Sequence, residues 1–174
     1  MKSNLFCKSP HINLYKEPSY KSKISSQIIY GEKFKILLKN KNWLKIKTSF
    51  DGYIGYVKKI NYVNEFKPTH KVKKIFAIVY KKPNKNFKIK KKLSFCSFIS
   101  VKKTEKNFYK FDNYWIKKND VAPINKTENI FSKIKIFKGV KYKWGGVSFR
   151  GIDCSALVQI CYKYNNKFCP RDTK

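Results

Sequence analysis

The sequence has few arginines, histidines, glycines and prolines, and it contains no long apolar run. Arginine occurs only at Arg150 and Arg171 among 41 basic residues, and the chain has 2 histidines, 7 glycines and 6 prolines. No stretch approaches the roughly 18 apolar residues that a membrane-spanning helix needs. The first residues also lack the apolar core of a signal peptide. Taking Met1 as the native start, we expect a cytoplasmic protein without a membrane span, with the cell envelope as the alternative location.

The five cysteines contain no CxxC pair, which disfavours a zinc site. They are Cys7, Cys96, Cys154, Cys161 and Cys169. An odd number of cysteines without paired spacing is typical of reduced thiols in a reducing compartment. We therefore expect no metal and no cofactor.

Positive charge is strongly in excess, with 10 acidic residues and a formal net charge of +31. Such a charge favours polyanionic partners such as nucleic acid, anionic lipid or anionic wall polymers. Lysine, asparagine, isoleucine, phenylalanine and tyrosine are abundant together, as an AT-rich genome would produce, so much of the lysine is explained as solvated surface. Nucleic acid is the disfavoured partner, because proteins that read bases rely on arginine.

An internal repeat organises the first two thirds of the chain. Tyr15–Pro18 recurs 65 residues later as Tyr80–Pro83, and Asn42–Ile46 recurs at the same offset as Asn107–Phe111. Two matches with one offset indicate a duplicated unit without insertions between them.

Each unit has the short alternating runs of a small β-barrel. Phe34, Ile36 and Leu38 follow a period of two, which predicts a strand with one buried face. About 60 residues suit an SH3-like barrel. We predict two such barrels, at residues 1–64 and 65–125.

The first unit resembles bacterial SH3 domains. The resemblance depends on the Tyr15–Pro18 motif, the Tyr30-Gly31-Glu32 turn and the Gly52–Val57 strand. The second unit lacks the last two motifs, so its assignment depends on the repeat. Bacterial SH3 domains commonly precede the catalytic domains of wall hydrolases.

A third region follows a polar linker at residues 123–129. Apolar residues recur at helical spacing between 130 and 137, which predicts a helix that Gly139 ends. Further on, a second helical stripe places Cys154 in the first turn of a helix, with Asp153 as its N-cap. The stripe consists of Leu157, Val158, Cys161 and Tyr162.

A cysteine in the first helical turn is a candidate nucleophile. Unpaired N–H groups and the positive end of the helix dipole stabilise a thiolate there, and the thiolate is the reactive form. Cys161 lies on the buried stripe, and the other three cysteines have no comparable setting. We interpret these four as structural.

The sequence around Cys154 resembles the NlpC/p60 family of papain-like cysteine peptidases. The matching motifs are Tyr142–Gly146, Gly151–Gln159 and Pro170–Asp172, in the family's order. Ala156 and Cys169 depart from the usual Gly and Leu. The resemblance implies that residues 126–174 begin an α+β papain-like domain, so the predicted fold class is mainly β, with two SH3-like barrels followed by this segment.

The resemblance implies a cell-wall hydrolase that cleaves peptidoglycan stem peptides between γ-D-glutamate and a diamino acid. Cys154 would attack the scissile carbonyl, while other residues bind the free amine of an N-terminal L-Ala. The implied binding residues are Asp153, Ser155, Trp144, Glu17, Tyr53 (or Tyr56 in its place) and Thr173. A bacterial role in murein recycling would agree with the expected cytoplasmic location.

The chain contains no histidine at the position where the family has its general base. His11 and His70 both precede Cys154, whereas the family's histidine follows the cysteine. We therefore expect the chain to be truncated within the catalytic domain and inactive alone. The alternatives are a non-catalytic SH3-like module that binds wall peptides or polyanions, and, least favoured, a basic barrel protein that binds RNA.

Overall fold

The computed structural model describes residues 4–40 and 42–171. The first barrel is one antiparallel sheet with the strand order β3-β2-β6-β5-β4-β1-β7. Its strands are β1 (Leu5–Cys7), β2 (His11–Tyr15), β3 (Ile24–Ile29), β4 (Lys33–Asn40), β5 (Trp43–Thr48), β6 (Ile54–Val57) and β7 (Tyr62–Val63).

The predicted alternation in β4 is correct only for its first half. Phe34 is fully buried and Ile36 is partly buried, but Leu38 is 53% exposed. The register between β4 and β5 shifts between Ile36 and Leu38. Such an irregularity redirects the following side chains, so the prediction that Leu38 faces the interior was wrong.

The second barrel contains a five-stranded sheet, β10-β9-β14-β13-β12, and a three-stranded sheet, β11-β8-β15. Its strands are β8 (His70–Val72), β9 (Phe76–Tyr80), β10 (Lys88–Ser94), β11 (Phe98–Ile99), β12 (Val101–Glu105), β13 (Phe108–Phe111), β14 (Tyr114–Lys117) and β15 (Val121–Pro123). Short 3-10 helices at Lys85–Phe87 and Lys118–Asp120 join neighbouring strands.

The repeat in the sequence corresponds to equivalent strands. β1 and β8, β2 and β9, and β5 and β13 begin 65 residues apart, whereas β6 and β14 begin 60 residues apart. The preceding turn accounts for three of these five residues, because it spans residues 49–53 in the first barrel and 112–113 in the second, and the shorter β13 accounts for the other two. The longer turn contains Asp51 and Tyr53, and the shorter turn consists of Asp112 and Asn113.

The third region contains little regular secondary structure. It contains the hairpin of β16 (Val147–Ser148) and β17 (Gly151–Ile152), followed by α1 (Cys154–Tyr164). The helix predicted to start at Ile130 is instead a series of turns and a 3-10 helix at Ile134–Phe137. Only Phe137 is buried there, so tertiary packing does not support a full helix, although Gly139, with φ +83°, does end the segment.

The buried face of α1 differs from the predicted stripe. Val158 is 41% exposed, and only Cys161 of the predicted set is fully buried. The buried residues are Ala156, Gln159, Ile160, Cys161, Lys163 and Tyr164. Gln159 and Lys163 are polar, and an apolar pattern cannot reveal that they are buried.

One apolar cluster joins all three regions. It includes Ile29 from the first barrel, Phe95 from the second and Tyr164 from α1. Phe95 stacks on Tyr164 with ring centroids 4.9 Å apart. This shared core packs α1 against both barrels, while the predicted boundaries at residues 64 and 125 stay predictions. Over the described residues, no helix has the length and apolar character needed to cross a membrane.

Candidate active site

Cys154 is the first residue of α1, and its side chain is exposed. Asp153 has the extended backbone of an N-cap, with φ −97° and ψ 174°. Its Oδ1 accepts a hydrogen bond from the N–H of Ala156 at 2.8 Å, which satisfies one of the unpaired donors of the first turn. The thiol is therefore exposed at the first residue of a helix, which is the position predicted from the sequence.

The other cysteines have different surroundings. Burial raises the pKa of Cys7 and of Cys96 to about 12. Burial also raises the pKa of Cys161 and of Cys169 above the ordinary value. A raised thiol pKa reduces the thiolate fraction at neutral pH, so these four thiols have the character of structural cysteines.

Arg171 engages both carboxylate oxygens of Asp153. Its Nη1 donates to Oδ1 at 2.8 Å and its Nη2 to Oδ2 at 2.5 Å, and both side chains are buried. The N–H of Gly145 also donates to Oδ2, at 2.9 Å. Burial alone would raise the pKa of Asp153, but the bonds from Arg171, Ala156 and Gly145 hold it below its ordinary value.

Ser155 belongs to the same network. Its hydroxyl donates to Asp153 Oδ1 at 3.2 Å and accepts a hydrogen bond from Arg171 Nη1. Arg171 also donates through Nε to the hydroxyl of Ser26 in β3, at 3.3 Å. The predicted pair of Asp153 and Ser155 is therefore held against the first barrel by an arginine.

Trp144 projects from the turn before β16 and is 67% exposed. The adjacent Gly145 has φ +71°, and a Cβ there would lie 3.0 Å from the carbonyl oxygen of Ile24. Only glycine allows this turn to approach β3 so closely. The glycine thus brings Trp144 next to the first barrel, beside Asp153.

Of the remaining predicted residues, Tyr53, Tyr56 and Glu17 belong to the first barrel. Tyr53 donates from its hydroxyl to the carbonyl of Ser25 at 3.2 Å, on the strand that touches the Gly145 turn. Tyr56 is contacted by Lys45, whose Nζ lies 5.6 Å from the ring centroid. Glu17 is exposed in the turn after β2, and Thr173 lies outside the described residues. The roles assigned to these residues stay predictions.

Several polar residues that join α1 to the first barrel were not predicted. Gln159 donates to Asp51 Oδ2 at 3.0 Å and to the carbonyl of Cys169 at 3.1 Å. Lys163 forms a buried ion pair with Glu32. Burial lowers the pKa of Lys163.

The sequence contains indications of two other polar contacts, those of Gln27 and Arg171. The run Ser25-Ser26-Gln27 interrupts an apolar strand, and Gln27 Oε1 accepts the N–H of Val147 at 3.0 Å. Arg171 is one of only two arginines in a chain that otherwise uses lysine. A rare arginine indicates a need for two parallel hydrogen bonds to a carboxylate.

Neither histidine forms a hydrogen bond with Cys154 among the described residues. Thr69 Oγ1 lies 3.0 Å from His70 Nδ1, and the His70 ring lies 4.8 Å from that of Tyr109. Burial and the charges of Arg150 and Lys143 lower the pKa of His11. No cluster of three potential metal ligands occurs in residues 4–40 and 42–171.

Two family descriptions match parts of the chain. Residues 14–59 match the bacterial dipeptidyl-peptidase SH3 domain, and residues 139–174 match the NlpC/P60 family. The first match lies within the first barrel. The second contains the Trp144 turn, Cys154 and Arg171.

Two curated proteins are similar to most of this chain. The γ-D-glutamyl-L-lysine dipeptidyl-peptidase of Bacillus subtilis (strain 168) is 26% identical over 169 residues, covering 86% of this chain and 56% of that protein. The protein of the same name from Bacillus cereus is 25% identical over 179 residues, covering 87% and 54%. The chain therefore spans about half the length of these relatives.

A solved structure has the same fold. The crystal structure of an NlpC/P60 family protein from Bacillus cereus superposes with a TM-score of 0.84 at 20% identity, covering 98% of this chain and 75% of that one. The predicted fold class, mainly β with an SH3-like N-terminal part, is confirmed.

Proposed function

We propose, on the premise that this chain is an NlpC/P60 family protein with a bacterial SH3 domain, that the whole protein is a cell-wall cysteine peptidase. The two curated relatives are named for the γ-D-glutamyl-L-lysine bond. We propose that this protein hydrolyses the corresponding bond, between γ-D-glutamate and a diamino acid, in peptidoglycan stem peptides. Exposure of Cys154 at the capped start of α1 is the observation that supports this proposal.

The chemistry begins with attack of the Cys154 thiolate on the γ-carbonyl of D-glutamate. The carbonyl oxygen becomes an oxyanion, which backbone N–H groups at the start of α1 are placed to stabilise. The C–N bond then breaks, the diamino acid leaves as a protonated amine, and an acyl-enzyme remains. Water hydrolyses the thioester, which releases the dipeptide and regenerates the thiol. We propose that a general base accepts the thiol proton; within the described residues, neither His11 nor His70 forms a hydrogen bond with Cys154.

The free α-amine of the substrate would bind beside Trp144, with Glu17 and Tyr53 contributed by the first barrel. Asp153 and Ser155 would form the base of this binding site. Because Arg171 already occupies both Asp153 oxygens, we propose that this carboxylate mainly orients Ser155 and the turn at Gly145. An ammonium binding site of this kind selects a free N-terminus over an internal amide.

The decisive experiment compares L-Ala-γ-D-Glu-L-Lys with its N-acetylated form, using the whole protein. We expect release of L-Ala-D-Glu from the free peptide, at least 100-fold slower cleavage of the acetylated peptide, and none by Cys154→Ala. Cys161→Ala is the matched control and should retain activity. Hydrolysis that persists in Cys154→Ala would refute the proposal. Binding of the peptide without cleavage would favour the alternative of a non-catalytic module.

Thiol labelling tests the same site without substrate. In the folded chain, iodoacetamide should modify Cys154 before the other four cysteines, because Cys154 is exposed and the other thiols have raised pKa values. Peptide mapping by mass spectrometry identifies the labelled position. Equal labelling of all five cysteines would contradict an activated nucleophile.

A further inference from the structure

The outer surface of the second barrel carries an ordered row of side chains. The strand register places Lys103, Lys110, Trp115, Tyr80 and Lys88 opposite one another, in that order, across all five strands. Directly paired residues project from the same side of a sheet. With about 4.8 Å between strands, the row is about 19 Å long.

The adjacent row on the same side continues the pattern. Glu105 pairs with Phe108, Phe108 pairs with Lys117, and Ile78 pairs with Lys92. We call the surface formed by the lysines of both rows the lysine face. It consists of Lys88, Lys92, Lys103, Lys110 and Lys117.

An aromatic layer beneath these lysines is closed to solvent. Tyr80, Phe108 and Trp115 form a cluster separate from the barrel interior and are only 2%, 7% and 8% exposed. The Nζ atoms of Lys110 and Lys117 lie 5.9 Å from the Trp115 ring and 6.0 Å from the Tyr80 ring. The ammonium groups of these two lysines therefore lie over the aromatic layer.

The lysine face has almost no compensating negative charge. Glu105 is the one acidic residue in the two rows, and its contact with Lys103, at 3.4 Å, is exposed. Lys103 stands directly opposite Lys110, and like charges in this position destabilise a sheet. An anionic ligand that spans the row would relieve this repulsion.

We propose that the lysine face binds a phosphate-bearing wall polymer, a flexible polyol-phosphate chain lying across the five strands. Charge complementarity supports a polyanion. The closed aromatic layer gives nucleic-acid bases no surface on which to stack, and the face has no arginine to read base edges. The choice of a wall polymer depends on the proposed function and on the alternative location, since a peptidase for wall peptides encounters such polymers when it acts at the cell envelope.

The test measures binding of the whole protein to a glycerol-phosphate polymer at several salt concentrations. Lys88→Gln/Lys103→Gln/Lys110→Gln should weaken binding at least tenfold at low salt. It should also reduce the slope of log affinity against log salt by about 2, from loss of three phosphate contacts. The matched control is Lys33→Gln/Lys35→Gln/Lys47→Gln, which removes three exposed lysines from the first barrel and should change affinity less than twofold.

The outcomes are distinct. If both triple variants lose affinity for the polymer equally, the proposal is overturned. The affinity would then depend on the net charge of the protein and not on the lysine face. Single-stranded RNA that binds tenfold tighter than the polymer, at equal phosphate concentration, would overturn the choice of partner. Unchanged circular dichroism of the variants establishes that folding is intact. Unchanged cleavage of L-Ala-γ-D-Glu-L-Lys by the lysine-face variant separates this inference from the proposed peptidase activity, and either can fail without the other.

Discussion

The two barrels are related by the repeat, but they hold the third region by different kinds of contact. The first barrel uses polar groups: Ser26, Gln27, Glu32 and Asp51 all bond to that region. The second barrel uses mainly the stacking of Phe95 on Tyr164, with one buried polar contact in which Lys71 of β8 donates to the carbonyl of Tyr164. Hydrogen bonds are directional and apolar contacts are not. We therefore infer that the first barrel positions the candidate site, while the second mainly stabilises the assembly.

The largest expected effect comes from breaking the aromatic attachment. Phe95 is 1% exposed and contacts both Tyr164 and Phe137, the latter with centroids 5.5 Å apart. Phe95→Ala should reduce the free energy of unfolding by about 4 kcal/mol, measured by urea denaturation. Phe95→Leu should cost less than half as much. A loss below about 1 kcal/mol would show that the second barrel does not stabilise the third region through this contact.

The next largest effect concerns the buried pair of Arg171 and Asp153. Arg171→Met should reduce the free energy of unfolding by about 3 kcal/mol, because it leaves a buried carboxylate without its partner. The double variant Arg171→Met/Asp153→Asn should lose less than the sum of the single losses, since the two residues interact directly. Additive losses in urea denaturation would exclude that coupling.

The pair of Arg171 and Asp153 should also affect how the stability of the fold depends on pH. Asp153 has a folded-state pKa below its unfolded value of about 3.9. Its stabilising contribution is therefore complete above that value and is lost as the pH falls through the folded-state pKa. In Arg171→Met the folded-state pKa of Asp153 should rise, because burial raises it and the bonds from Arg171 are gone. Less stability should then be lost on acidification than in the natural chain, as followed by the unfolding midpoint between pH 6 and 3. Superimposable profiles would contradict this.

A smaller effect is expected at the ion pair of Lys163 and Glu32. Lys163→Met should reduce the free energy of unfolding by about 2 kcal/mol, because Glu32 then stays buried without a cation. Glu32→Gln/Lys163→Met should restore at least half of that loss. Thermal unfolding of the three variants measures this, and a double variant less stable than Lys163→Met would contradict it.

The smallest effect tests the contact between the barrels. The hydroxyl of Tyr30 donates to Asp112 of the second barrel, and Lys8 also pairs with Asp112, at 2.7 Å. Tyr30→Phe should cost about 1 kcal/mol, the typical net value of one hydrogen bond, because Lys8 still neutralises the carboxylate. A loss above about 3 kcal/mol in urea denaturation would show that the hydroxyl does more than donate this bond.

Local patterns in the chain were sufficient to predict the repeat, several strands of the barrels and the place of Cys154. The repeat predicted β5 and β13 at equivalent positions, and the N-cap at Asp153 placed the thiol at the first turn. The failures occurred where tertiary contacts outweigh local pattern. The segment expected to be helical from Ile130 buries only Phe137 in its 3-10 helix. In α1, Gln159 and Lys163 are buried because Asp51 and Glu32 lie opposite them.

By itself, the sequence determined that this protein has a duplicated β-unit followed by a cysteine at a helix start, because periodicity, capping and turn chemistry act between residues close in the chain. Only the tertiary structure decided that Arg171 binds Asp153, that α1 faces the first barrel with polar side chains, and that five lysines share one surface of the second. These facts depend on strand register and on contacts between residues far apart in the chain, such as the 145 residues that separate Arg171 from Ser26. Such contacts are strong because they are buried away from water. Burial exists only in the folded chain, so local sequence patterns cannot predict it.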